Sequence, residues 1–200
     1  FMQNIESFNK EKYASHKSLE SPESFYKDKV YLFKILKRID ALKIKNPEST
    51  KILEIGCADG SFSAVLKSKG FDVYTIDISE KAIAIAKMRG LIAEVVDIEK
   101  GLKFEDNFFQ IIIMAEVIEH LFDTDFALKQ IRKVLEQNGY LFISTPNLAS
   151  LKNRLRLLFG KYPQYSEFRI GKDQAGHIRN YTPLVLRQQL EECGLTVEKI

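Results

Sequence analysis

Lys51-Ile52-Leu53-Glu54-Ile55-Gly56-Cys57-Ala58-Asp59-Gly60 is the stretch that decides the fold. Its first half, Lys51 to Gly56, is a short apolar run rich in β-branched residues that stops on a glycine. A helical stretch from Ser61 to Lys69 follows, closed by Gly70. Strand, glycine turn and helix in that order open a βαβ unit. Downstream the alternation repeats. Residues 72–78 read as a second strand, and Ser79 caps a helix over 80–89 that Gly90 terminates. Residues 91–96 and 108–115 read as strands three and four. Asp123 or Thr124 caps a helix that runs to Asn138, where Gly139 ends it, and Tyr140 to Ser144 is strand five. Thr182-Pro183 opens a last helix ending at Cys193 before Gly194, and Leu195 to Ile200 reads as strand six. Strands alternating with helices of this length predict an α/β fold, a doubly wound, mostly parallel sheet with helices on both faces.

Upstream lies a polar arm to about Ser21. A helix then runs from Pro22 to Lys45, with Leu32, Ile35, Leu36, Ile39 and Leu42 on one face, until Asn46-Pro47 stops it. Residues 1–49 thus form an N-terminal extension to a domain over 50–200, whose rhythm is broken by a helical, aromatic insertion at 148–180.

Composition excludes several classes. The 200 residues are 45% hydrophobic and 28% charged, with a mean hydropathy of −0.18, as in an ordinary globule. No apolar run reaches the roughly 18 residues of a membrane span, and no signal-peptide core follows the first residues. Two cysteines, Cys57 and Cys193, make no disulfide framework and point to a reducing, cytoplasmic setting. The net charge of +3 hides a division: residues 50–147 carry −4 and residues 148–180 carry +5.

A dinucleotide-binding turn needs glycines at its first, third and sixth positions; here those are Gly56, Ala58 and Ser61. A P-loop needs Gly-Lys-Ser/Thr, which is missing. The spacing Gly56–Ala58–Gly60 behind Glu54 instead resembles motif I of the class I S-adenosylmethionine-dependent methyltransferases, acidic-x-Gly-x-Gly-x-Gly, with Ala58 replacing the middle glycine. One methyl there resists a positive φ. The likeness extends through Asp77-Ile78, Asp97-Ile98, Phe104 to Phe109, Glu116-Val117-Ile118-Glu119-His120-Leu121, Ser144-Thr145-Pro146-Asn147 and Gly176-His177-Ile178-Arg179. In these motifs the chain is most similar to the ubiquinone-biosynthesis O-methyltransferase-like (type 11/23) group, over about residues 50–195.

The resemblance implies a Rossmann-like sheet of order 3-2-1-4-5 with strand six beyond. The family's seventh, antiparallel strand lies outside these residues, so the unpaired sheet edge invites association with another chain. It implies S-adenosylmethionine as methyl donor, leaving S-adenosylhomocysteine as product, bound by Glu54, Gly56, Cys57, Ala58, Gly60, Asp77, Ile78, Asp97, Ile98 and Glu116. Asp77 would accept from the ribose hydroxyls, and the acids suit a sulfonium cation. The acceptor implied is small or glycan-like, methylated at oxygen. The alternatives are an RNA 2′-O-methyltransferase and a catalytically silent cofactor-binding subunit.

His120 is the base candidate, since an imidazole pKa of about 6.5 suits proton abstraction near neutrality. A divalent metal on Glu116, Glu119 and His120, with His177 as a distant fourth ligand, is the less favoured reading; such a set resembles that of small-RNA 2′-O-methyltransferases. No metal ligand is therefore assigned. His16, in the arm, reads as a surface histidine. The basic insertion suits an anionic substrate or a peripheral membrane contact through residues 148–160, against the default of a solvated helix face. Nucleic acid is disfavoured, because a pI of 8.7 is modest and no RNA-binding module motif occurs.

Overall fold

The computed structural model describes residues 29–167 and 176–200. The arm, His16, the Ser21-Pro22 helix start and Phe168 lie outside them. Five parallel strands form one sheet of order β3-β2-β1-β4-β5: β1 Lys51–Ile55, β2 Asp72–Asp77, β3 Ile92–Val95, β4 Phe109–Ala115 and β5 Leu135–Ser144. The expected order is borne out.

Strand alternation explains the layers. Ile111 and Ile113 of β4 and Ile52 of β1 face helix α1, Val30–Ala41, and helix α2, Ser61–Ser68. Ile112 and Met114 point the other way, onto helix α4, Thr124–Val134, and helix α6, Pro183–Glu192. Both faces of β1 and β4 are therefore dry, as a central parallel strand requires. Helix α3, Glu80–Met88, packs Ile83 and Ala86 on Leu91 and on Ala93 of β3. Asp123, Ser79 and Thr182 each cap their helix by accepting the backbone N–H three residues on. Among the described residues no helix is long and apolar enough to cross a membrane.

Three expectations are corrected. Helix α1 stops at Ala41 rather than Lys45, where the segment from Leu42 on leaves the helical ladder. Helix α4 ends at Val134, not Asn138, because Leu135 turns extended and pairs with Phe109 of β4. The register then jumps: Ile111 opposes Tyr140, so Glu136 to Gly139 loop out of the ladder. Gly139 therefore ends no helix. A side chain there would press on the Gln110 carbonyl at 2.9 Å and on Leu135, so only glycine fits. The sixth strand is absent. Gly194 closes α6 in a Schellman turn, with Leu195 N–H donating to Leu190 O and Gly194 N–H to Glu191 O. Leu195 and Val197 pack on the core, but their backbone finds no neighbouring strand among the described residues. Apolar alternation without a ladder partner makes no strand.

Candidate active site

The carboxyl ends of β1, β2 and β4 open into a cavity of about 1130 Å³, the position where open α/β sheets bind ligands. Gly56, Ala58, Asp77, Ile78, Asp97, Ile98, Glu116 and His120 line it. Glu54, Cys57 and Gly60 do not. Glu54 lies below the loop on the α2 side of β1 and accepts the Ser63 hydroxyl, Cys57 packs among Ile83 and Ala86, and Gly60 caps α2 with a left-handed backbone. Burial pushes the Cys57 thiol up, so it stays protonated.

The loop spends its amides on the protein. Gly56 and Cys57 N–H both donate to Ile76 O, and Ala58 N–H donates to Asp77 Oδ2 at 2.8 Å. These three donors are turned toward β2 and away from any pyrophosphate. Asp77 Oδ1 also accepts Ser79 N–H at 2.8 Å, so the carboxylate clamps the loop as well as facing the cavity. Ala58 adopts φ +49 despite its methyl, and Glu116, at the end of β4, adopts φ +56. With Tyr165 at φ +65, three described non-glycine residues of left-handed backbone line the cavity, strain held in place by surrounding bonds. For Glu116 those bonds are its own N–H to Ser144 O and the Ser144 hydroxyl to Oε1. Burial raises its carboxyl above the ordinary value. Asp97 caps the turn Ile98–Lys100 and pairs with Lys100. These features suit S-adenosylmethionine: carboxylates for a cation, and no phosphate cradle.

Glu54 carries a pH consequence. Burial, with the Asp77 charge adding and the Ser63 bond opposing, holds it up at about 8 against an ordinary 4.5. Between those values the folded chain binds the proton that the unfolded chain releases, so stability is full below the lower value and is lost as pH rises through the upper one. Thermal unfolding of Glu54→Gln between about pH 5 and 9 should show a shallower loss of Tm than the parent. A parallel pair of curves would remove Glu54 from that slope.

The other half of the cavity gathers two histidines around one acid. The turn Ile118–His120 buries Glu119, whose carbonyl accepts the N–H groups of both Ile178 and Arg179. That strap brings in His177, expected at a distance: its Nε2 lies 3.9 Å from Glu119 Oε1, and His120 Nε2 lies 4.0 Å from the same atom. Each ring presents Nδ1 to a backbone carbonyl, His120 to Gly176 O at 3.1 Å and His177 to Tyr165 O at 2.7 Å. Donation from Nδ1 makes Nε2 the basic nitrogen of both rings. Both Glu119 carboxylate oxygens are buried without a hydrogen-bond partner among the described residues. Burial, then the Glu116 charge, pushes this carboxyl up to about 8. Ligand atoms of Glu119, His120 and His177 lie within 4.8 Å of one another, close enough to share a cation. Glu116 turns instead to Ser144, so it is not one of this set.

Tyr31 of α1 also lines the cavity, and sequence reasoning missed it. Burial first, then the charges of Glu116, Glu54 and Glu119, push its phenol up to about 12, so it remains a hydrogen-bond donor. Its only signal was its place beside Leu32 on a helix whose packing could not be read from sequence.

Comparison with known proteins agrees with this geometry. Residues 26–200 match the family model described as a methyltransferase domain. The chain is 35% identical over 105 residues to the ubiquinone biosynthesis O-methyltransferase of Pelagibacter ubique, covering 50% of this chain and 43% of that protein. It thus spans less than half of that relative's length. The enzyme of the same description from Thiobacillus denitrificans is 24% identical over 180 residues, 84% of this chain and 76% of its own. A crystal structure from Thermotoga maritima, described as an S-adenosylmethionine-dependent methyltransferase and possible histamine N-methyltransferase, superposes with a TM-score of 0.60. At 23% identity over 97% of this chain and 81% of that one, it shows the shared fold. With the family model covering most of its length and the sheet order in agreement, this chain belongs to the methyltransferase domain family.

Proposed function

We propose that the protein transfers a methyl group from S-adenosylmethionine to a hydroxyl oxygen of a small-molecule acceptor. The observation that carries this reading is the division of one cavity. A loop whose Gly56, Cys57 and Ala58 amides are bonded within the protein, rimmed by Asp77, Asp97 and Glu116, stands on one side, and the Glu119–His120–His177 cluster on the other. S-adenosylmethionine, when bound, supplies an electrophilic methyl on a sulfonium. Asp77 would hold its ribose diol, and Asp97 and Ile98 would flank its base. Placement of the acceptor in line with the methyl is the main demand, since displacement of this kind responds mostly to alignment and exclusion of water. His120 Nε2 takes the acceptor proton, with its ring fixed by Gly176 O. The relatives' description as O-methyltransferases supports oxygen as the target.

The Glu119–His120–His177 arrangement favours a second reading, in which a divalent ion sits on the three residues and lowers the acceptor's pKa. Two imidazoles anchored through Nδ1 to carbonyls are how metal-binding histidines are commonly oriented.

Calorimetric titration tests the donor site. The protein should bind S-adenosylmethionine more tightly than NAD. Asp77→Ala, checked for intact folding, should weaken the former by about 1.5–3 kcal/mol, the worth of hydrogen bonds to a charged group. Tighter binding of NAD sinks the assignment, and an unchanged affinity in the folded variant moves the ribose site elsewhere.

A further inference from the structure

Helix α5, Leu151–Leu158, is built with its polar side inward. Asn153 is 3% exposed and anchors the helix: its side-chain amide donates to Asn147 O and Gln164 O, and its Oδ1 accepts Gln164 N–H. On the opposite side of the helix stand Leu151, Leu155, Leu158 and Phe159, with Leu151, Leu158 and Phe159 exposed by 72%, 75% and 73%. A surface helix ordinarily turns such a stripe to the core. Contiguous exposed apolar side chains mark a contact surface. The charge pattern says which kind. Lys152, Arg154, Arg156 and Lys161 flank the stripe, and no acid occurs from 148 to 166. Tyr162 and Tyr165 follow, both exposed. Apolar side chains ringed by cations and tyrosines match the boundary of an anionic bilayer, where leucine and phenylalanine enter the acyl region and lysine and arginine meet phosphates.

The same segment borders the cavity. Ser150, Lys152, Asn153, Gln164 and Tyr165 line it, so whatever α5 rests on lies beside the cavity's entrance. We propose that α5 and the turn through Tyr165 dock on an anionic phospholipid surface, and that the acceptor is an amphiphile reached from that surface, its hydroxyl-bearing head entering the cavity. The acceptor clause rests on the methyltransferase reading; the docking clause does not.

Co-sedimentation with vesicles tests it. The protein should pellet with phosphatidylcholine vesicles containing phosphatidylglycerol, far less with phosphatidylcholine alone, and less as salt rises. Leu158→Glu with Phe159→Glu should weaken vesicle binding roughly tenfold or more, and Arg154→Glu with Arg156→Glu should do the same. Neither pair lines the cavity, so calorimetric affinity for S-adenosylmethionine should hold in both. Loss of vesicle binding with donor affinity intact supports docking. Donor affinity lost in the parent protein counts against the functional reading and leaves docking standing. Docking is overturned if the parent stays in the supernatant with anionic vesicles, or if the double variants bind them as the parent does. It is overturned equally if the parent is a dimer that Leu158→Glu with Phe159→Glu makes monomeric, which would assign the stripe to a second copy.

Discussion

Alanine in place of His120 is expected to lower turnover roughly 10²–10⁴-fold, the usual loss on removing a general base, while leaving S-adenosylmethionine affinity unchanged. Rate and affinity separate because His120 stands on the acceptor side of the cavity, and its ring is held by Gly176 O rather than by the glycine loop. Chelation sorts the two roles. If His120 is a base alone, EDTA leaves the parent active, and Glu119→Ala and His177→Ala are milder than His120→Ala. If the cluster holds a divalent ion, EDTA abolishes activity, added metal restores it, and all three variants are comparably damaged. Full activity in His120→Ala sinks both and leaves alignment and desolvation as the whole mechanism.

The second large effect concerns stability. Gly60 has φ +73, and a Cβ there would lie 2.6 Å from Leu91 Cδ1, 2.9 Å from Ala86 Cβ and 3.3 Å from the Ala86 backbone. Leu91 Cδ1 is the end of a flexible side chain, whereas Ala86 is fixed in the backbone of α3. Left-handed backbone costs a non-glycine residue about 1–2 kcal/mol, and overpacking adds about 1–3 kcal/mol. Gly60→Ala should therefore lose about 2–5 kcal/mol of unfolding free energy in denaturant titration. A loss below about 1 kcal/mol would mean that α3 slides away from the loop. Gly160→Ala is the control, since its φ is +65 but nothing stands within 4 Å of its Cβ.

Which parts of this were legible in the sequence follows from how local each determinant is. The strand–turn–helix at Lys51 to Lys69 was readable because apolar run, glycine turn and helix sit side by side, each with its own short-range preference. The end of α4 was not. Leu135 continues the helix's apolar spacing, and only its pairing with Phe109, a partner far away in the chain, draws it into β5. Leu195 to Ile200 has the same difficulty in reverse, an alternating run with no partner. In the site, Asp77 and Asp97 were marked by their places at strand ends and Glu116 by the motif running from it to Leu121, and all three line the cavity. Glu54 shares that mark, but the alternation of β1 sends it to the opposite side, onto Ser63. Ala58 shows the limit of reasoning from side-chain size: two bonded neighbours and the Asp77 carboxylate outweigh the penalty of its methyl. His177 became a neighbour of Glu119 through the backbone strap from Ile178 and Arg179 and its own bond to Tyr165 O, which no spacing rule encodes.

Asn147 and Tyr181 form a parallel bridge, and Leu148 N–H donates to Tyr181 O at 2.8 Å. The two ends of the intervening segment are thus pinned together at the rim of the sheet, outside the five-stranded ladder. Closing a longer loop costs only about 0.6 kcal/mol for each doubling of its length, so the frame barely registers how many residues are threaded between those pins. The segment is in effect an exchangeable cartridge. Recruitment of a new acceptor in a descendant of this chain can proceed by rewriting the cartridge alone, with the donor half of the pocket inherited intact.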